Sequence, residues 1–326
     1  MDLLYTDFLG TPTWMWAIFI TLVLSLLALD LGVLHKDSKE IGVKESLLMS
    51  AFYIAIGVTF GGWIWFQQGQ QPAVEYLTGF VVEKSLAMDN IFIIAMIFSY
   101  FAIPRQYQHR VLLYGILGVI VLRGIMIAGG AMIVENFHWV LYLFAAFLVF
   151  TGIKMLVSSD HDESDIGNNA MLKFLRRKLP VTKELHGENF FVKQKDDKTG
   201  KLKTFVTPLF LALIMVELAD LVFAVDSIPA IFAITTDPFL VYTSNIFAIL
   251  GLRALYFALA ALMHRFAYLK YSLAAVLIFV GSKIFVADML GISKIPPSVS
   301  LGVTVAILAT GILGSLWATR KESEAT

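Results

Sequence analysis

The chain has 326 residues, 58% of them hydrophobic and 15% charged, with a formal net charge of zero and a mean hydropathy of +0.77. Soluble domains are nearer half apolar and a quarter charged, so this balance excludes a globular enzyme with a large core, and the neutral charge argues against nucleic acid as a partner. There is no cysteine, which removes structural disulfides and thiolate metal sites.

Only Asp2 and Asp7 precede the first apolar run, so no signal or transit peptide is expected. Nine apolar spans, each about long enough to cross a bilayer, fall at roughly 14–34, 46–66, 76–101, 108–133, 138–157, 205–233, 239–263, 268–287 and 298–318. The connectors after spans one, three, five and seven carry Lys and Arg, among them Lys36, Lys39, Arg105, Arg110, Arg265 and Lys270, and Arg320 and Lys321 follow the last span. The connectors after spans two, four and six carry none, and the one after span eight only Lys294. Basic residues stay on the cytoplasmic side, so the pattern predicts an all-α polytopic membrane protein of about nine transmembrane helices. Its N-terminus would lie outside and its C-terminus in the cytoplasm.

The one sizeable polar connector, 158–204, predicts two small elements. Met171, Leu172, Leu175 and Leu179 alternate with Lys173, Arg176, Arg177 and Lys178 at helical spacing, which suits a short helix on the anionic inner leaflet. Phe190–Val192 and Leu202–Val206 flank a Gly200-containing loop and read as a β-hairpin. Together they could form a small cytoplasmic cap or regulatory flap, but a plain solvated linker is the favoured reading.

One pattern occurs twice. Glu83-Lys84-Ser85-Leu86-Ala87-Met88-Asp89-Asn90-Ile91 matches Asp220-Leu221-Val222-Phe223-Ala224-Val225-Asp226-Ser227-Ile228 in its two acids, the small polar residue after the second, and Ala and Ile positions. The likeness extends to Tyr114–Gly118 against Phe247–Gly251 and to Gly152 and Lys154 against Gly281 and Lys283. The offsets are 137 residues (Glu83 to Asp220), 133 (Gly118 to Gly251) and 129 (Gly152 to Gly281), so order is kept. Three spans are repeated; three is odd, so the copies enter the membrane from opposite sides. Such an inverted three-helix repeat places a site at the midplane between halves. The expected organisation is therefore two N-terminal helices (1–75), a first repeat (76–157), a cytoplasmic loop (158–204), a second repeat (205–287), and a C-terminal helix with its tail (288–326).

A charged Asp at the centre of a membrane helix costs about 2.5–3.5 kcal/mol on insertion scales, so the acids need a reason. At helical rise Glu83 and Asp89 lie about 10 and 20 Å into their span, and Glu217, Asp220 and Asp226 at about 18, 22 and 32 Å into theirs. Pro229 is expected to kink or unwind that helix and help the acids converge. Asn90 and Ser227 stand seven residues after Glu83 and Asp220, which restores the first acid's face. Carboxylates with neutral oxygen donors suit Mg, Mn or Ca. All six histidines fall in connectors or at span ends, so the usual Zn and Cu ligands are missing. A thioether from Met88 or Met215 would favour Mn over Ca, although core filling explains both residues as well. Asp30 is placed to serve an inner vestibule, and Asn245 to act as a pore donor or a packing residue.

The bland alternative is that the acids are structural, neutralised by Arg123, Arg253 or Lys84; the same arginines could instead neutralise the site once a cation leaves. Lys154 and Lys283 are expected to snorkel to the interface. An aspartyl protease is disfavoured because its Gly-x-Gly-Asp motif is absent, and an ATP-driven pump because no phosphate-binding loop occurs. No enzymatic activity and no resident cofactor are expected.

The segments Glu83–Phe92, Glu217–Ile231 and Asn245–Tyr256 resemble the TerC family of integral membrane proteins, and Asp30-Leu31-Gly32-Val33 and His186-Gly187-Glu188 resemble its Alx-like subgroup. The likeness spans nearly the whole chain. It implies a LysE-type exporter built from inverted repeats in the bacterial inner membrane. The family takes its name from tellurite resistance; several members are linked to manganese export and plant relatives to thylakoid biogenesis. The resemblance makes Glu83, Asp89, Asn90, Glu217, Asp220, Asp226 and Ser227 the expected metal path, with Mn²⁺ leaving the cytoplasm in exchange for protons. Ca²⁺, a tellurium oxyanion, and a membrane-assembly role without transport are the alternatives. Oligomeric state is not legible.

Overall fold

In a computed structural model, residues 6–30, 42–157, 170–182, 184–195, 202–260, 269–292 and 295–324 are described; for Asp89, Phe92, Arg253, Ala260, Leu269 and 316–324 this covers the backbone alone. Helices dominate: α1 (Thr13–Leu29), α2 (Val43–Gln68), α3 (Gln70–Tyr100), α4 (Arg105–Asn136), α5 (Val140–Val157), α6 (Ala170–Lys178), α7 (Pro208–Phe232), α8 (Pro238–Leu250), α9 (Leu252–Ala260), α10 (Leu269–Met289) and α11 (Pro297–Glu324). Two strand pairs complete the described elements: β1 (Asp7–Phe8) with β2 (Thr11–Pro12), and β3 (Phe191–Lys195) with β4 (Leu202–Val206).

Each expected apolar segment holds helix among the described residues. Among the described residues six helices are long and apolar enough to cross a membrane: α2, α4, α5, α7, α10 and α11. The 31-residue α3 carries Glu75, Glu83, Lys84 and Asp89. At 17 and 13 residues, α1 and α8 are shorter. Large apolar side chains such as Leu24, Phe66, Val121, Val157 and Met289 are exposed along the helices, the surface that lipid tails solvate.

Local chemistry sets the helix ends. Gly69 joins α2 to α3 at φ +95°, a backbone conformation open to glycine and strained for other residues. Pro208 and Pro238 start α7 and α8, where a missing N–H costs nothing. Asp237 caps α8, its carboxylate accepting from the N–H of Phe239 at 2.8 Å and of Leu240 at 3.4 Å. Burial nevertheless holds this carboxyl above its ordinary range. Pro229 does not unwind α7, which runs through it to Phe232. Its missing N–H costs the helix one bond, to the Val225 carbonyl. The interruption falls instead at Gly251, between α8 and α9.

The central helix is α3, packed on α2, α7, α8, α9 and α11, while α4 lies on α7 and α8. An aromatic cluster of Trp16, Phe19, Phe60, Tyr76, Phe239 and Phe247 ties α1, α2, α3 and α8 together. The longest helix contact is between α5 and α10, and it is reciprocal. A methyl on Gly152 would lie 2.8 Å from the Ala274 carbonyl and 2.6 Å from Ile278. One on Gly281 would lie 2.6 Å from the Ala145 carbonyl and 3.0 Å from Val149. Both pairs of contacts are related by the same 129-residue offset that aligns the two glycines. Without a hydrophobic force between helices in lipid, such close backbone approach is what holds them.

The polar segment before α7 docks on the helix ends. Leu172 of α6 is buried among Phe98, Phe101 and Leu211. Glu188 pairs with Arg110 at 2.8 Å, Thr207 donates to the Asn189 carbonyl at 2.7 Å, and the Phe191 ring packs tilted against Phe210. The β3–β4 hairpin is antiparallel, with Phe191 opposite Val206 and Lys195 opposite Leu202.

Candidate functional site

At the centre, Arg123 of α4 is 1% exposed, an expensive position for a cation unless acceptors surround it. Acceptors from three helices do so. Asp220 of α7 takes Nε at 3.1 Å and Nη2 at 3.0 Å as a fork. Nη1 donates to Glu83 of α3, to Asn245 Oδ1 of α8 at 2.9 Å and to Ser227 Oγ of α7 at 3.2 Å. Glu83 is fully buried, and its second oxygen, Oε2, has no hydrogen-bond partner; neither has Asn245 Nδ2.

Two cavities meet this network. One of about 240 Å³ is lined by Glu83, Asn90, Thr151, Met155, Asp226 and Ser227, from α3, α5 and α7. Thr151 and Lys154 both lie within electrostatic reach of the Asp226 carboxylate. A smaller cavity of about 40 Å³ lies against Asp220 and the apolar side chains of Ile94, Ile116, Val119 and Ile249. Tyr256 also borders it and donates to Gln108 Oε1 at 3.0 Å. A third cavity, of about 430 Å³, opens at the ends of α5, α7 and α10 beside His138, Thr235, Lys283 and Asp288.

The residues expected from sequence are thus divided. Glu83, Asn90, Asp226 and Ser227 share a cavity; Asp220 faces Arg123 and the smaller one. Residues six apart on a continuous helix differ by about 120°, so an unbroken α7 cannot turn both of its acids to one point. Glu217 lies one turn before Asp220 and packs on α4, where a Cβ at Gly118 would overlap its carboxylate. Its Oε2 is buried without a partner. Asp30 is 2% exposed at the end of α1 and borders none of the three cavities. Asp89 lies on α3 and Arg253 on α9, but their side chains fall outside the described residues.

One expectation is corrected. Lys84 does not pair with Glu83. It turns to the end of α8, donating at 3.1 Å to the Ala248 carbonyl in its last turn, beside Gly251. Adjacent helix positions face about 100° apart, so neighbours in sequence do not meet. Lys283 is 6% exposed and lines the third cavity, at the ends of α5, α7 and α10. Thr151 and Met155 were missed, although Thr151 stands next to Gly152 in the repeated motif. Among the described residues no group of three His, Cys, Asp or Glu is gathered to hold a metal. The larger central cavity offers two carboxylates with amide, hydroxyl and thioether donors, a set suited to a hard cation that keeps part of its water.

The model of the integral membrane protein TerC family matches residues 68–323. An "Uncharacterized membrane protein" of Rickettsia bellii (strain RML369-C) is 50% identical over 301 residues, covering 92% of this chain and 96% of that protein. One of Myxococcus xanthus is 44% identical over 307 residues, 94% and 93% of the two chains. A protein of Escherichia coli (strain K12), "Putative membrane-bound redox modulator Alx", is 45% identical over 317 residues, 94% and 95% of the two chains. No solved structure matches.

Proposed function

The chain belongs to the TerC family of integral membrane proteins, and from that premise we propose that it is a secondary transporter that exports Mn²⁺ from the bacterial cytoplasm across the inner membrane in exchange for protons. The observation that carries this reading is the Glu83 side chain, fully buried, whose Oε2 oxygen has no hydrogen-bond partner and which lines a cavity shared with Asp226, Asn90, Ser227 and Thr151. An unpaired buried carboxylate oxygen is costly; a transported cation or a proton would offset that cost in turn. The oxygen-rich donors favour Mn²⁺, Mg²⁺ or Ca²⁺, and Met155 adds the softer ligand that distinguishes Mn²⁺ among them.

The architecture proposed is nine spanning helices in two inverted three-helix units, α3–α5 and α7–α10, with the α8–α9 pair acting as one span. The reciprocal Gly152 and Gly281 contacts support it, because a two-fold axis between α5 and α10 would produce them. An oxyanion cargo fits less well, since every nitrogen of Arg123 already serves the protein's own acceptors. The name of the Escherichia coli relative speaks of redox modulation. These 326 residues hold no cysteine, so a redox role here would follow from the metal moved and not from a thiol couple.

The test is reconstitution into liposomes with a flux panel over Mn²⁺, Ca²⁺, Mg²⁺ and Zn²⁺, with and without a pH gradient. Mn²⁺ flux that the gradient drives is the expected result. Asp226→Asn should lower it at least about tenfold while the protein remains folded in the membrane. Absence of flux for all four ions from folded protein would discard transport and favour an assembly role.

A further inference from the structure

Arg123 joins a residue of one central cavity to residues of the other: Asp220 borders the smaller, Glu83 and Ser227 the larger. Its two sides are held differently. The Asp220 fork is bidentate, the stronger and geometrically fixed form of an arginine–carboxylate pair. Nη1 has two hydrogens and faces three acceptors, Glu83, Asn245 and Ser227. That arm is the over-subscribed one, with more acceptors than hydrogens to serve them. It is also the one that covers Glu83 and Ser227, both of which face the larger cavity.

Resting on the transport reading above, we propose that Arg123 is the built-in competitor of the transported cation. In the empty protein its Nη1 occupies the face of Glu83 and Ser227 that a divalent cation takes when it binds, while the fork on Asp220 keeps the guanidinium tethered nearby. Metal binding releases Nη1 from Glu83; metal departure lets it return. The positive charge at Glu83 is thus exchanged between substrate and side chain, and the partition between the two cavities opens only when Nη1 swings away. Two features fit this exchange and not a fixed structural bridge. Glu83 keeps one oxygen unpartnered beside the cavity, and Asn245 keeps its amide nitrogen unpartnered beside the guanidinium. A bridge evolved only to hold helices would be served by satisfying both.

The experiment is equilibrium Mn²⁺ binding by purified full-length protein, with Mn²⁺/Mn²⁺ exchange and net Mn²⁺ export measured in liposomes. Removing a competing charge from a site tightens binding by the coupling between the two ligands, so Arg123→Gln should bind Mn²⁺ about tenfold or more tightly than wild type. It should keep Mn²⁺/Mn²⁺ exchange but lose most net export, because nothing then displaces the ion. Methylguanidinium in solution should weaken Mn²⁺ binding to Arg123→Gln and leave wild type unaffected. Arg123→Lys retains the charge that the buried acids need but cannot hold Asp220 and Glu83 at once, and it should bind Mn²⁺ with intermediate affinity even where the Gln variant does not fold. Wild-type binding with both folded variants at wild-type affinity or weaker overturns the competitor role alone; where only the Lys variant folds, its affinity decides. A wild-type protein that neither binds nor moves Mn²⁺ overturns the transport reading together with it.

Discussion

A carboxylate deep in a helix bundle needs a cation, a proton or several donors. Glu83 and Asp220 have Arg123, Asp226 has Thr151 and nearby Lys154, and Glu217 has a glycine. The Glu217 seat leads to a prediction at this scale. A methyl at Gly118 meets only the far end of that flexible side chain, so Gly118→Ala should fold with a stability loss of no more than about 1 kcal/mol. It should nonetheless displace the carboxylate and lower Mn²⁺ flux, and Glu217→Gln should do the same. Thermal unfolding beside flux separates the two effects, and wild-type flux in Gly118→Ala would count against any role for Glu217 on the path. Glu83→Leu should behave differently, leaving part of Arg123 unpaired in a dry interior at a cost of about 3–5 kcal/mol; a melting temperature equal to that of wild type would refute the network's energetic weight.

At the scale of elements, α5 and α10 cross where each lacks a side chain. Here the neighbours of an added methyl are backbone carbonyls, Ala274 for Gly152 and Ala145 for Gly281, and carbonyls cannot rotate aside as the Glu217 side chain can. Gly152→Ala and Gly281→Ala should each destabilise by about 1–3 kcal/mol, the range for overpacking. The two losses should be similar, since the contacts are equivalent under the 129-residue offset. Thermal unfolding in detergent measures this, and one variant at wild-type stability with the other impaired would speak against the two-fold relation. The hairpin ahead of α7 contributes less through charge. Arg110 and Glu188 are each more than a third exposed, and an ion pair of that kind is worth about 0–1 kcal/mol.

Over the whole molecule, sidedness is the quantity to measure. The absence of native cysteine makes each introduced thiol a unique reporter. Glu184→Cys should react with an impermeant maleimide only from the cytoplasmic face, and Thr236→Cys only from the outside. Labelling of both from one face would refute the inverted arrangement, because α7 separates them. The sides of the three cavities follow from the same result: the largest, beside Thr235 and Lys283, would be the outer vestibule, and the small one behind Tyr256 and Gln108 would lie on the inner approach to Asp220.

Sequence by itself determined the helical character, the positions of the apolar segments, the short amphipathic α6, the β3–β4 pairing and the repeated acidic pattern. These are local properties: hydrophobic run length, period and spacing are written along the chain. Which acid faces which neighbour was decided only by tertiary structure. Glu83 and Lys84 are adjacent in sequence, yet one meets Arg123 of α4 and the other the Ala248 carbonyl of α8. Asp220 and Asp226 share a motif but not a cavity. Rotation about a helix axis turns small separations into different faces, and the partner that fills each face is brought by another helix, 40 residues away for Glu83 and 164 for Lys84. The guanidinium that joins residues of the two cavities is therefore legible in the chain as one of two arginines inside apolar spans, and only in the fold as the group that ties Glu83 to Asp220.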